Sequence, residues 1–289
     1  MDGILLINKE SGYTSHDVVN VLRKKLMIKS IGHIGTLDPL AKGLLVCLVG
    51  SSTKYAKYFE EHDKTYIAEI TIGATSETLD MGSELKYEEP FELDLNIIDE
   101  ALSSFKGQYF QAPPMYSAVK INGKKLYEYA RKNIMIEREK KEFTVYNIER
   151  ISDLIKEDYL YKFRVRVRSS KGLYIRVLAS DIGQKLGHMS LLSDLIRVNV
   201  GDFSLDDAKS LDEVNQEMKL INPLDYLTFL EKVKVSEESV IKKISNGAFL
   251  DKTVGSNELI LLFDQKGPLA IYRLDEEKNL YRMDLKIRG

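Results

Sequence analysis

Apolar and polar positions alternate along this chain with two periods, and each marks its own kind of element. The period of two is cleanest over residues 159–168. There Tyr161, Phe163, Val165 and Val167 alternate with Lys162, Arg164, Arg166 and Arg168. This predicts a strand with one buried face and one cationic face. Residues 4–8, 64–73 and 141–150 also read as strands, and the unbroken apolar run 44–49 reads as a buried one. Asn122-Gly123 sits where a hairpin over 118–125 would turn. A helical period runs from the Thr14-Ser15 caps to about Met27, with Val18, Val19, Val21, Leu22 and Leu26 on its apolar side. Further helices are predicted from Ser51 and Thr53 through Phe59, from Asp94 to about Phe105, over 126–132, and from Ile175 to a stop at Gly187. Residues 73–89 read as a polar loop, 107–116 as an extended segment broken by Pro113-Pro114, and 201–227 as acidic and partly helical. After Val233 short β-like pieces dominate, at 259–263, 269–273 and 280–283. Strands interleaved with helices in this way predict an α+β fold.

The length of 289 residues accommodates one large and one small domain, here divided as 1–228 and 229–289. No apolar run approaches the roughly 18 residues of a membrane span, and the first residues read as a strand rather than a secretion leader. The one cysteine, Cys47, excludes a disulfide within the chain and a cysteine zinc site, and it points to the cytosol. His16, His33, His62 and His188 lack paired spacing, so no metal is expected. The net charge of −2 argues against a generic polyanion binder. Its distribution changes that picture. Residues 61–119 carry 3 basic and 12 acidic side chains, whereas residues 120–200 carry 18 basic and 10 acidic. A one-sided basic surface of this kind suits a phosphate backbone, although a solvated charged surface has the same composition.

Chemistry concentrates at residues 32–43, GHIGTLDPLAKG. Gly32, Gly35 and Gly43 surround one carboxylate, Asp38, and Pro39 fixes the backbone just after it. An acid presented on a shaped loop ahead of a buried strand is where catalytic groups are often carried. A tight turn whose Asp caps local amides would use the same residues.

This loop closely resembles the signature of the bacterial tRNA pseudouridine synthases of the TruB type, close to GHxGTLDPxAxG. The resemblance extends to Leu5-Leu6-Ile7-Asn8-Lys9, to Lys64-Thr65-Tyr66, to Met115–Lys120 and Gly123–Arg131, and to Ser170-Lys171-Gly172-Leu173-Tyr174-Ile175-Arg176, covering residues 4 to about 200. It implies a pseudouridine-synthase domain with a central, mostly antiparallel sheet flanked by helices, followed by a small PUA-like RNA-binding β domain. It implies isomerisation of uridine 55 in the T arm of tRNA, in the cytoplasm, by a monomer without cofactor or metal. Asp38 would be the catalytic carboxylate, Tyr66 would stack on the target base, and Arg176 would pair with Asp38 and keep its pKa low. His33 would fill the space the base leaves in the RNA loop. Lys9 and Lys64 would support site geometry or bind phosphate, Leu195 and Arg197 would support substrate binding, and Arg164 and Arg166, with the 120–141 segment, would hold phosphates. Four positions depart from the pattern: Glu10 replaces a proline, Leu173 a threonine, Glu77 an aspartate, and Ile196 an arginine. A non-catalytic RNA-binding protein, an aspartate-nucleophile phosphatase and a synthase acting on another RNA are the rivals. The phosphatase pattern needs a second acid where Leu40 stands.

Overall fold

The structure is a computed structural model that describes residues 1–94 and 96–288. The chain divides into two units, Met1–Ile221 and Asn222–Gly289. The expected domain break at 228 lies a few residues after this division, and the Asn222-Pro223 mark falls on it.

The first unit is built on a ten-stranded sheet. Its main strands are β1 (Gly3–Lys9), β2 (Ile31–Ile34), β3 (Lys42–Val49), β4 (Lys64–Ile72), β5 (Gly107–Gln111), β6 (Lys141–Arg150), β7 (Leu160–Ser169) and β8 (Ser190–Val200). They lie in the order β1-β3-β8-β4-β7-β6-β5, with β2 beside β3. Every pairing among them is antiparallel except β8 with β3, which is parallel and limited to Ile196 opposite Lys42 and Arg197 opposite Gly43. One edge of β3 is taken by β1. The other edge pairs with β2 over Val46–Val49 and then with β8 at Lys42–Gly43. The Asp38 loop leaves the sheet where that edge changes partner.

Three longer helices pack on this sheet among the described residues, beside the short ones Ala56–Phe59 and Leu126–Ala130. α1 (Ser15–Leu26) is closed by a capping box. Thr14 accepts from the Asp17 amide, and the Asp17 carboxylate accepts from the Thr14 amide at 2.9 Å. Its Val18, Val19, Leu22 and Leu26 bury against Leu5, Ile7, Leu45 and Cys47, each worth about 1.5–3 kcal/mol when fully buried. α2 (Asn96–Ser103) and α3 (Ile175–Leu186) cover the face of β4 and β7 that carries Ala68, Ile70, Phe163, Val165 and Val167. Gly187 ends α3 in the left-handed region, as its position after the last apolar residue predicts. The expected start of α2 spans Leu95, which lies outside the described residues.

Several expectations change in detail. Residues 50–55 form a 3-10 turn, and the helix after it has only four residues, Ala56–Phe59. The loop 73–89 contains a small hairpin, Ala74–Ser76 with Leu85–Tyr87. The Pro-broken segment begins as a true strand, β5. Residues 201–227 contain only 3-10 turns, Leu205–Asp207 and Pro223–Tyr226, among the described helices. The hairpin at Asn122-Gly123 forms as expected, both residues having positive φ.

The second unit is a five-stranded sheet ordered Glu231–Lys234, Leu259–Asp264, Gly267–Asp275, Leu280–Lys286, Leu250–Asp251, with one helix, Glu238–Ser245. It has its own core of Ile244, Ile260, Leu262, Ala270, Tyr272 and Tyr281.

Candidate active site

Three side chains that reach in from separate elements hold the Asp38 loop by its backbone. Ser15, the first residue of α1, accepts from the Leu37 amide at 2.9 Å and donates to the Leu37 carbonyl at 3.1 Å. Lys9 donates to the Pro39, Glu10 and Tyr13 carbonyls at 3.2, 2.9 and 2.7 Å. Arg197 donates to the Gly35 carbonyl at 2.7 Å and to the Leu44 carbonyl at 2.8 Å. Gly35 has φ +65°, and a β-carbon there would lie 3.1 Å from the Arg197 guanidinium, so both backbone shape and space call for glycine. Asp38 is thus presented from a rigid support at residues 35, 37 and 39.

Arg176 meets it from the first turn of α3. Its Nη2 lies 3.0 Å from the Asp38 carboxylate and its Nε 3.8 Å from Asp80. It also donates to the Thr78 carbonyl and the Tyr116 carbonyl, each at 3.1 Å. A cation at a helix N-terminus is electrostatically unfavourable, and here two carboxylates and two carbonyls offset that. The Arg176 side chain is 6% exposed and that of Asp38 47%. Asp38 is therefore reachable from solvent, yet cleft walls displace much of the water around it. Burial drives its carboxyl above the ordinary carboxylate range, and Asp80 adds to this, against the opposing charge of Arg176 and Lys9. The expectation of a low pKa is corrected: the arginine is in place, but desolvation outweighs it.

Both groups open into a cleft of about 480 Å³ that Tyr66, His33, Lys64, Leu195 and Arg197 also line. Tyr66 stands opposite Arg197 in the β4–β8 ladder, and the two side chains line the cleft together. Arg197 is 1% exposed, and its hydrogen bonds go to backbone carbonyls rather than to a carboxylate. Lys64 donates to the Glu60 carbonyl at 2.9 Å and to the His62 carbonyl, and burial lowers its pKa to about 8. His33 meets the Thr36 hydroxyl at 3.1 Å, and burial lowers its pKa, with the nearby Arg197 charge acting in the same direction.

The structure does not bring three of the expected residues to the cleft. Lys9 is completely buried and its three ammonium hydrogens are committed to carbonyls, so it supports the loop instead of touching a ligand. Arg164 and Arg166 lie on the other face of the sheet. Val165 and Val167, which alternate with them, pack under α3 on the same side as Tyr66. Arg164 is further engaged by Glu69 at 3.1 Å, and the neighbouring Arg168 by Asp63. Other residues escaped the sequence reading. Ser15 was legible only as a helix cap. Asp80 had no motif. Tyr174 and Ser117 lie inside recognised segments and line the cleft, and burial holds the Tyr174 phenol protonated. Ile196, the missing cation, pairs with Ile67 on the face opposite Tyr66, away from the cleft. Among the described residues no group of three or more His, Cys, Asp or Glu is placed to hold a metal, and no helix is long and apolar enough to cross a membrane.

Comparison with known proteins shows the family and the fold. Residues 23–175 match the model of the TruB family pseudouridylate synthase N-terminal domain. The tRNA pseudouridine synthase B of Streptococcus sanguinis is 41% identical, over 96% of this chain and 97% of that protein. The protein of the same name from Bacillus subtilis is 40% identical, over 94% of this chain and 93% of its own. Among solved structures, an H/ACA RNP bound to a substrate RNA containing 2′-deoxyuridine matches with a TM-score of 0.69 at 21% identity, over 99% of this chain and 85% of that one. A Cbf5-Nop10-Gar1 complex matches with a TM-score of 0.68 at 22% identity, over 99% and 84%. These two matches establish the fold. The family match and the long, close relatives go further: the chain belongs to the TruB family of pseudouridylate synthases.

Proposed function

We propose that this chain isomerises uridine 55 in the T arm of tRNA to pseudouridine, with Asp38 as the catalytic carboxylate. Family membership and the shared name of the relatives support the reaction and the class of RNA. The observation that carries the residue assignment is the 3.0 Å pair of Asp38 with Arg176, open to a cleft that Tyr66 walls.

The chemistry follows from the groups present. A base inside a folded RNA must leave its stack to be worked on. The Tyr66 ring offers it a stacking surface worth roughly 1–3 kcal/mol. Asp38 acts in its ionised form, either by attack on the sugar or base or by assisting loss of a proton from the sugar. The C1′–N1 bond breaks, the uracil turns, and a C1′–C5 bond forms. C5 loses a proton and N1 gains one, so atoms and electrons balance without oxidant or group donor. Arg176 keeps the carboxylate aimed and opposes its protonation. Lys64, with one ammonium hydrogen left over from its two carbonyls, faces the cleft as a phosphate contact. In this reading the second unit is a PUA-like RNA-binding module, and the enzyme acts as a monomer in the cytoplasm.

The test is conversion of an unmodified tRNA transcript, with EDTA present and Asp38→Asn alongside. Pseudouridine at position 55 alone, and only with the unaltered protein, is the expected result. Binding without conversion would leave a non-catalytic RNA-binding protein, and turnover by Asp38→Asn would remove the carboxylate from its role.

A further inference from the structure

We infer that Gln111 is a positioning residue for the Asp38–Arg176 pair, acting through the backbone of Tyr174, an inference that rests on the catalytic reading above. Gln111 ends β5 and is 2% exposed. Its side-chain carbonyl accepts from the Tyr174 amide at 2.6 Å, and its side-chain amide donates back to the Tyr174 carbonyl at 3.3 Å. Tyr174 is the residue that opens α3, and no side chain of its own caps the helix there. Its carbonyl already accepts from the Val177 and Leu178 amides, each at 3.1 Å. Gln111 therefore closes the helix start from outside, two residues before Arg176.

A second tie makes this a mount rather than a single contact. Tyr109 lies two residues earlier on β5 and so points to the same side of the strand. Its hydroxyl donates to the Asp181 carboxylate, seven residues after Tyr174 and so two helical turns on. β5 holds α3 at these two points, and the Arg176 side chain leaves the helix near the first.

The groups facing Asp38 are Arg176 from α3, Tyr174 just ahead of it, Asp80 from the loop after Ala74–Ser76, and Lys9 from β1. Gln111 fixes the first two and touches neither of the others. With the mount loosened, Arg176 opposes burial and Asp80 less well, so the carboxyl moves further up. A purely structural loss of packing would lower stability and leave that titration where it was.

The experiment uses the full chain with Gln111→Met, which keeps the length and loses the amide, and Gln111→Asn, which keeps an amide one methylene short of Tyr174. Asp38 is followed by carboxyl ¹³C NMR, its signal identified by its loss in Asp38→Asn. RNA affinity and single-turnover conversion are measured beside it. The expected result is an Asp38 titration about half to one pH unit higher, a single-turnover rate roughly 10- to 100-fold lower, and unchanged RNA affinity. An unmoved titration in either folded variant overturns the inference, whatever the rate does. Should Gln111→Met fail to fold, Gln111→Asn decides alone. An unaltered protein that converts no uridine removes the proposed function, while the NMR titration still decides what Gln111 holds.

Discussion

At the scale of single residues, the site is a contest between burial and charge, and burial sets the direction at each titrating group named here. Asp38 has its carboxyl pushed up despite Arg176 at 3.0 Å. A carboxyl with a folded pKa above its unfolded one contributes stability below the unfolded pKa and loses it as pH rises through the folded one. The ionised form that the proposed mechanism needs is thus the less stable form of the fold. Turnover should fall on the acid side through a pH above the ordinary carboxylate range, and Arg176→Ala should move that limb higher still; a rate–pH profile with its limb in the normal Asp range would contradict this. Lys64 gives the opposite limb. Its pKa of about 8 means that its charge is lost just above neutrality, so RNA affinity should weaken there. Stability should not weaken with it, because the unfolded lysine still binds its proton over that window and the balance moves toward the fold. Binding titrations at pH 7 and 9 with Lys64→Met, whose affinity should be independent of pH over that range, check the assignment.

Elements impose their own constraint where β8 crosses to β3. A β-carbon on Gly43 would lie 2.4 Å from the Arg197 carbonyl oxygen and 2.9 Å from the Arg197 amide nitrogen, with φ at +97°. Neither neighbour is a side chain that can move aside. Gly43→Ala should therefore cost at least about 2 kcal/mol and loosen the support of Arg197 under the Asp38 loop. Gly12→Ala has a similar φ, +92°, with nothing near the added carbon, and should cost only the backbone strain, about 1–2 kcal/mol. Urea melts of the two variants separate close approach from backbone shape, and equal losses would mean that the crossing is not tight. This crossing is also where sequence reading ran out. β1, β3, β4 and β7 were legible from apolar runs or alternation, β6 from its β-branched and aromatic residues despite a register shift between Val145 and Asn147, α1 because a cap opens its apolar stripe and α3 because Gly187 stops one. β8 was not. Ser190, Asp194, Arg197 and Asn199 interrupt its apolar positions, and two register irregularities, at Leu192/Asp194 and Arg197/Asn199, break the period of two. Its buried arginine is stabilised by partners more than a hundred residues away, which no local pattern records.

For the molecule as a whole, alternation told which residues of β7 share a face and could not tell which face carries the site. That depends on β4 and β8, which place Tyr66 and Arg197 under the N-terminal end of α3 and leave Arg164 and Arg166 behind the sheet. The same limit applies to the charge count. The excess of basic residues over 120–200 is real, but on β7 much of it is matched: Lys162 by Glu157, Arg164 by Glu69 and Arg168 by Asp63. A half-exposed cation of this stretch that does line the cleft is Lys171, paired with Glu61. An exposed pair of this kind is worth about 0–1 kcal/mol, so a phosphate can displace the carboxylate. The double variant Arg164→Gln/Arg166→Gln should keep conversion and the salt dependence of RNA binding essentially unchanged. Lys171→Gln should weaken binding and flatten the slope of log affinity against log salt by about 0.7–0.9, the loss of one phosphate contact. The two measurements discriminate directly. A flattened slope in the arginine double variant would put RNA on the back of the sheet, whereas a flattened slope in Lys171→Gln alone places its path along the rim where Asp38, Tyr66 and Arg176 meet.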